Sequence, residues 1–223
     1  SSAHRAALAA AEALSVARAT VALLLGAEAD EVVLTSGGSE SDTMALWGIF
    51  AARQFSGHLV TTSIEHSAVL ENARALGELG VEVTIVEPRS TGHVDAADIA
   101  AALRPHTALV SVMHANNENG AVQPIGEIAA ITREAGVALH VDAVHTAGKI
   151  DISNLGAEMV SISGHKFHGP RGTGALYVRD GFVFTPSIVG GPQEAERRAG
   201  TENLPGIVGL GEAARLARHK AAD

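Results

Sequence analysis

"SGHKFHGPRGTGALYV", residues 163–178, closes one apolar run and opens the next. Strand-like runs flank its centre, "MVSIS" before and "GALYV" after. Parallel neighbours need a crossover of roughly a dozen residues or more, usually a helix, and the segment Phe167–Thr173 is too short for one. The two runs are therefore expected to lie antiparallel. The same stretch carries one long amine, Lys166, between His165 and His168, with glycines at 164, 169, 172 and 174. An amine set among such small residues has room beside it for another molecule.

Working outward, short apolar runs alternate with helical stretches. "VVLTSGG" leads to "SESDTMALWGIFAARQ", "HLVTTSIEH" to "SAVLENARALGELG", "VEVTIVE" to "DAADIAAALR", and "TALVSVMHANN" to "PIGEIAAITREAG". "VALHVDAVH" precedes the final pair of strands. The runs are near-continuous Val, Ile and Leu, the pattern of strands covered on both faces. Seven strands with interleaved helices predict an α/β fold: a seven-stranded, mostly parallel sheet with helices on both faces. Residues 3–25 read as a leading helix of high propensity, ended by Gly26. "PGIVGLGEAARLARHK" reads as a closing helix.

The 223 residues, 46% hydrophobic, suffice for one sizeable core, and with only 3% aromatics it must be aliphatic. The formal charge of −9 and the lack of a basic run argue against a nucleic-acid partner and give an anionic membrane nothing to attract. No uninterrupted apolar stretch of membrane-spanning length is expected, and the first residues do not form a signal peptide. A soluble, cytoplasmic protein is the expectation. There is no cysteine, which excludes disulfides and thiolate metal sites.

In an open parallel sheet, ligands bind beyond the carboxyl ends of the strands. Those ends hold Gly38, Ser39 and Ser41 after the first strand, His66 after the second, and Asn116 and Asn117 after the fourth. Asp142 and His145 follow the fifth, and Ser163, His165 and Lys166 the sixth. Each has an ordinary structural reading. "SGGSES" can cap a helix, Asp142 can cap a turn, His66 can be a capped histidine, and "HGPRGTG" can be a tight turn without the P-loop ending. Their clustering at one edge favours a site. A histidine metal site built from His114, His140, His145, His165 and His168 is disfavoured, because these residues lie on different strands without compact spacing. Pyridoxal phosphate needs this set of groups: a lysine for its aldehyde, a carboxylate for its pyridine nitrogen, amides and hydroxyls for its phosphate, and a ring to stack on.

The stretches "TSGGSES", "TTSIEHSAVL", "VSVMHANNENGAVQPI", "HVDAVHTAGK", "SISGHKFHGPRGTGALYVR" and "GTENLPGIVG" resemble the class V aminotransferases, fold-type I pyridoxal-phosphate enzymes, and among them the cysteine desulfurases of the NifS/IscS kind. The resemblance implies that Lys166 is the Schiff-base lysine, that Asp142 pairs with the pyridine nitrogen, and that His66 stacks on the ring and moves protons. Gly38, Ser39, Ser163 and His165 would hold the phosphate, and Asn117 would lie near the phenolic oxygen. Thr201 would reach the phosphate of a partner subunit in a homodimer. The implied reaction takes sulfur from L-cysteine and leaves L-alanine. His145 stands where desulfurases usually have Gln, and imidazole can donate the same bond; Ser39 keeps the hydroxyl of the usual Thr. Residues 1–205 would form the fold-type I cofactor-binding large domain. Residues 206–223 would begin the helix leading to a small C-terminal domain, absent from the sequence, which carries the catalytic cysteine and the substrate-binding arginine. The thiolate would then come from a complementary domain, or sulfur would pass to an acceptor protein. Another class V lyase or aminotransferase, and a non-catalytic cofactor-binding or dimerisation remnant, are the alternatives.

Overall fold

The computed structural model describes residues 5–221, with side chains through Arg218. The chain alternates strands β1 (Val32–Thr35), β2 (His58–Thr62), β3 (Glu82–Val86), β4 (Thr107–Met113), β5 (Ala138–Asp142), β6 (Met159–Ser163) and β7 (Gly174–Val178) with helices α1 (Arg5–Leu25), α2 (Gly38–Ala52), α3 (Ser67–Glu78), α4 (Ala96–Ala102), α5 (Ile125–Ala135) and α6 (Leu204–Ala221). The helix expected over 3–25 is found from Arg5; residues 3 and 4 lie outside the described residues, as do 222 and 223.

One seven-stranded sheet runs in the order β1-β7-β6-β5-β4-β2-β3. β7 is antiparallel to both neighbours, with Gly174 beside Thr35 on one side and Ser163 on the other. The pairings from β6 through β5, β4 and β2 to β3 are parallel. The short link after Lys166 therefore turns the chain back, and β7 wedges between β1 and β6.

Successive strand residues point to opposite faces. Val60, Val110, Val112, Leu139, Val141, Val160 and Ile162 enter a core with α1, α4, α5 and α6. Val33, Leu59, Leu109, Met159 and Leu176 enter a second core with α2 and α3. That parity turns His140, Asp142, Ser161 and Ser163 toward α2. The sequence holds polar residues on this one side of three central strands, and the site lies there.

α1 is long and apolar, although Glu12 and Arg18 interrupt it. By length and composition α1 meets the test for a membrane span. Its alanines carry the apolar character, yet it packs along α6 and buries Ala17, Val21, Ala22, Leu24 and Leu25. Arg18 on the same helix pairs with Glu194 at 2.5 Å and donates to the Val32 carbonyl at 2.9 Å.

Candidate active site

The strand ends deliver most of the expected residues to one edge. α2 starts from Gly37, whose backbone (φ 151°, ψ −177°) is open essentially to glycine alone, and no side chain caps the helix. The first N–H groups of a helix have no partner within it and suit an anion. Ser163 lies directly beneath: a Cβ on Gly38 would stand 3.5 Å from the Ser163 Cβ, and one on Gly37 would stand 3.7 Å from the Ser163 Oγ. Ser163 Oγ in turn meets His165 Nδ1 at 3.0 Å. Gly38, Ser39, Ser163, His165 and Arg171 line a cavity of about 280 Å³. Arg171 was not foreseen there; its position follows from the turn after Lys166, which the sequence shows only as a glycine-rich loop.

Beside this cradle, His66, Asp142, His145 and Lys166 act on one another. Asp142 is buried, and its Oδ1 accepts from the Val144 N–H at 2.8 Å. Burial raises its proton affinity above the ordinary carboxyl range, opposed by that N–H and by the nearby His66 and Lys166. His66 caps α3, its Nδ1 accepting from the Ala68 N–H at 3.0 Å. The neutral ring then carries its proton on Nε2. His145 is pushed down to about 4 by burial and by Lys166, Lys149, His66 and His165, so it is neutral at neutral pH. Lys166 sits in a 3₁₀ turn, Gly164–Phe167, half-buried. Its carbonyl accepts from Lys149 Nζ at 3.1 Å.

Asn117 and Thr201, expected at the phenolic oxygen and at a partner subunit's phosphate, both lie on loops. Asn117 is exposed in the loop after β4, while Asn116 is buried and fixes that loop through the Ile64 carbonyl at 3.1 Å. Thr201 lines a separate cavity of about 110 Å³ with Thr35, Ser36, Arg198 and Asn203. Arg198 in that wall grips Glu40 at 2.8 Å. The histidines do not converge on an ion: His114 bonds Thr146, His140 bonds Ser111 and Ser161, and His165 bonds Ser163. Among the described residues, no three His, Asp or Glu side chains are grouped for a metal.

An amine, a buried carboxylate held at one oxygen, an imidazole over the same edge and a hydroxyl-lined helix start are the donor set that pyridoxal phosphate requires, and these residues fit it. The fold and the site thus define a chain of the pyridoxal-phosphate-binding type. The chain belongs to the class-V aminotransferase family, whose model matches residues 1–222. It is 52% identical over 212 residues to cysteine desulfurase IscS of Anaeromyxobacter dehalogenans (strain 2CP-C), covering 93% of this chain and 52% of that protein. Cysteine desulfurase IscS of Methanosarcina thermophila is 48% identical, over 92% of this chain and 52% of its own length. A solved NifS-like protein superposes with a TM-score of 0.95 at 38% identity, over 99% of this chain and 62% of that one. The structure described as SspA in complex with cysteine gives 0.92 at 42%, over 96% and 63%. The chain spans about half the length of the relatives it matches.

Proposed function

We propose that this chain is the cofactor-binding part of a pyridoxal-phosphate-dependent cysteine desulfurase, acting on L-cysteine. The observation that carries the reading is the meeting of Lys166, Asp142, His66 and His145 beside the Gly38–Ser163 cradle. When bound, pyridoxal phosphate supplies an electron sink for carbanion chemistry at an amino acid. The chain's own residues do the rest. Lys166 would anchor the cofactor and serve as a base. Asp142, fixed at one oxygen by the Val144 N–H, would have its other oxygen for the ring nitrogen. His66 would offer its Nε2–H to the ring, and neutral His145 would donate a hydrogen bond at the phenolic oxygen. Gly38, Ser39, Ser163 and His165 hold the phosphate.

Sulfur abstraction needs a thiolate nucleophile, and the sequence contains no cysteine. The thiolate must therefore be supplied by a residue outside this sequence. A second copy of the chain is the proposed partner for Thr201. Supporting this, Val183 and Val189 are 81% exposed on the segment leading to it.

The test is borohydride reduction of the chain with pyridoxal phosphate, followed by peptide mass analysis. A phosphopyridoxyl label on Lys166, absent from Lys166→Ala, is the expected result. A label that persists in Lys166→Ala refutes the assignment. With cofactor and L-cysteine, the chain alone should form no alanine beyond the cofactor-only background.

A further inference from the structure

A second buried polar layer lies on the α2 side of the sheet, behind Asp142. Ser111 Oγ stands 2.9 Å from His140 Nδ1, and His140 Nε2 stands 2.9 Å from Ser161 Oγ. Asp42, on the second turn of α2, closes the row with its Oδ1 3.6 Å from His140 Nε2. All four side chains are buried. Asp42 Oδ1 has no hydrogen-bond partner. Glu65, just before His66, is buried as well. Its Oε1 accepts from the Thr62 hydroxyl at 2.6 Å and the Met113 N–H at 2.9 Å, while its Oε2 has no partner.

Three carboxyls, Asp42, Glu65 and Asp142, thus share one stretch of interior and feel one another's charge. They are not equivalent. Asp142 has a backbone donor and the cation Lys166 acting on it. The charged groups acting on Asp42 are the two other carboxyls. Its neighbour His140 is no counter-ion. Both ring nitrogens are bonded to hydroxyls, and burial holds the ring down at about 3, so it is neutral. A buried carboxylate lacking both a cation and a donor on one oxygen is costly, and the group takes up a proton instead. Burial, and then the like charge of Asp142, push Asp42 well above the carboxylate range, opposed in part by the Ser161 hydroxyl.

We propose that Asp42 is a positioning residue that stays protonated in the folded chain, and that its neutrality leaves Asp142 as the charged carboxyl beneath the cofactor. Its role toward the cofactor rests on the reading of the site given above, whereas its protonation does not. A charged Asp42 would raise the proton affinity of Asp142, and Asp142 would then hold its own proton rather than favour one on the ring nitrogen.

The test is infrared spectroscopy of the cofactor-free chain at neutral pH, read at the C=O stretch of protonated carboxyls. Carbon-13 aspartate labelling separates aspartyl from glutamyl signals. Wild type should show an aspartyl band that persists in Asp142→Asn and vanishes in Asp42→Asn. Absence of any aspartyl band in wild type, which needs no variant to fold, overturns the proposal. So does a band lost only in Asp142→Asn. A second arm titrates pyridoxal phosphate. Asp42→Asn should keep the dissociation constant within about twofold, below the scale of one lost hydrogen bond. It should also keep the pH profile of the cofactor's visible absorbance, because a neutral amide replaces a neutral acid. A profile displaced by about one pH unit or more would mean that a charge had been removed, and would overturn the proposal. If wild type binds no cofactor, the functional reading fails, while the infrared arm still decides the protonation of Asp42.

Discussion

Gly174→Ala tests how the antiparallel insertion of β7 shapes the phosphate cradle. Gly174 pairs with Thr35 and Ser163 at once. A Cβ there would stand 2.7 Å from Gly37 Cα, 2.8 Å from Gly37 C and 2.7 Å from the Ile162 carbonyl oxygen. All three are backbone atoms and cannot rotate aside. Ordinary carbon–carbon contact is about 3.5–4.0 Å, so the backbone must open by roughly 1 Å. Overpacking costs about 1–3 kcal/mol, and a rigid obstacle puts this case at the upper end. A domain of this size loses about 2–4 °C of Tm per kcal/mol, so a fall of about 5–10 °C is expected. The motion also carries Gly37 away from Ser163. The dissociation constant of pyridoxal phosphate should therefore rise at least about tenfold, which is roughly 1.4 kcal/mol. Gly172→Ala is the control. Its φ is +75° with nothing within 4 Å, so only left-handed strain of about 1–2 kcal/mol applies, and Tm should fall by less. Calorimetry of the cofactor-free chain and a cofactor titration read both effects. If Gly174→Ala melts within about 1 °C of wild type and binds equally well, the approach of β7 to Gly37 is not rigid and the reasoning fails.

Arg18→Met should cost about 3–5 kcal/mol in denaturant unfolding, because it strands Glu194, a buried carboxylate that also accepts the Leu34 N–H at 2.8 Å. The double variant with Glu194→Gln should recover part of that loss; additive losses would show that the pair is not coupled. Asp142→Asn, at matched cofactor occupancy, should slow α-proton exchange of amino acids roughly 10²-fold, the scale of one lost electrostatic contact. Equal exchange rates would remove Asp142 from its role. Glu65 is raised from 4.5 to about 8, so between those values the folded chain keeps a proton that the unfolded chain releases. Its contribution to stability is fully present below pH 4.5 and is lost as pH rises through about 8. Wild-type stability relative to Glu65→Gln should fall across that window, and a flat difference would contradict the burial of a neutral Glu65. His140 and His145, held at about 3 and about 4, act oppositely: their contribution is present above pH 6.5 and is lost as pH falls toward those values.

Much of this was legible in the sequence, for physical reasons. Short apolar runs, interrupted by polar residues on β3, β5 and β6, mark the seven strands, and the short link after Lys166 foretells β7 lying antiparallel to β6. It does not foretell β7 lying beside β1 as well, because that pairing joins residues far apart in sequence. Strand ends can be read off the chain, so Gly38, Ser39, His66, Asp142, His145, Ser163, His165 and Lys166 could be gathered. Asn117 and Thr201 sit on loops, whose placement no local pattern fixes, so their expected roles come from the resemblance alone. Glu194 shows why tertiary contacts escape local reading. It lies in a segment where Glu194 and Ala195 adopt left-handed backbone, yet it reaches both Arg18 and the edge of β1.

Asp42 escaped for a different reason. It lies on α2, among Ser41, Met44 and Ala45, and nothing in the helix itself tells a buried aspartate from an exposed one. The information sits in strand parity. Val141 on β5 enters the core with α1, so His140 and Asp142 must face α2; Val160 and Ile162 do the same for Ser161 and Ser163. A one-residue slip in either strand would move these polar side chains into the aliphatic core. Apolar burial on one face therefore fixes the register that brings chemistry together on the other. The same parity that places Asp142 at the sheet's edge places His140 and Ser161 behind it, where a helix must meet them. A hydrophobic residue at position 42 would leave two hydroxyls and a ring facing a dry wall, whereas a neutral acid matches them without adding a charge. The polar layer behind the site is thus a consequence of how the sheet is built, and position 42 is where α2 completes it.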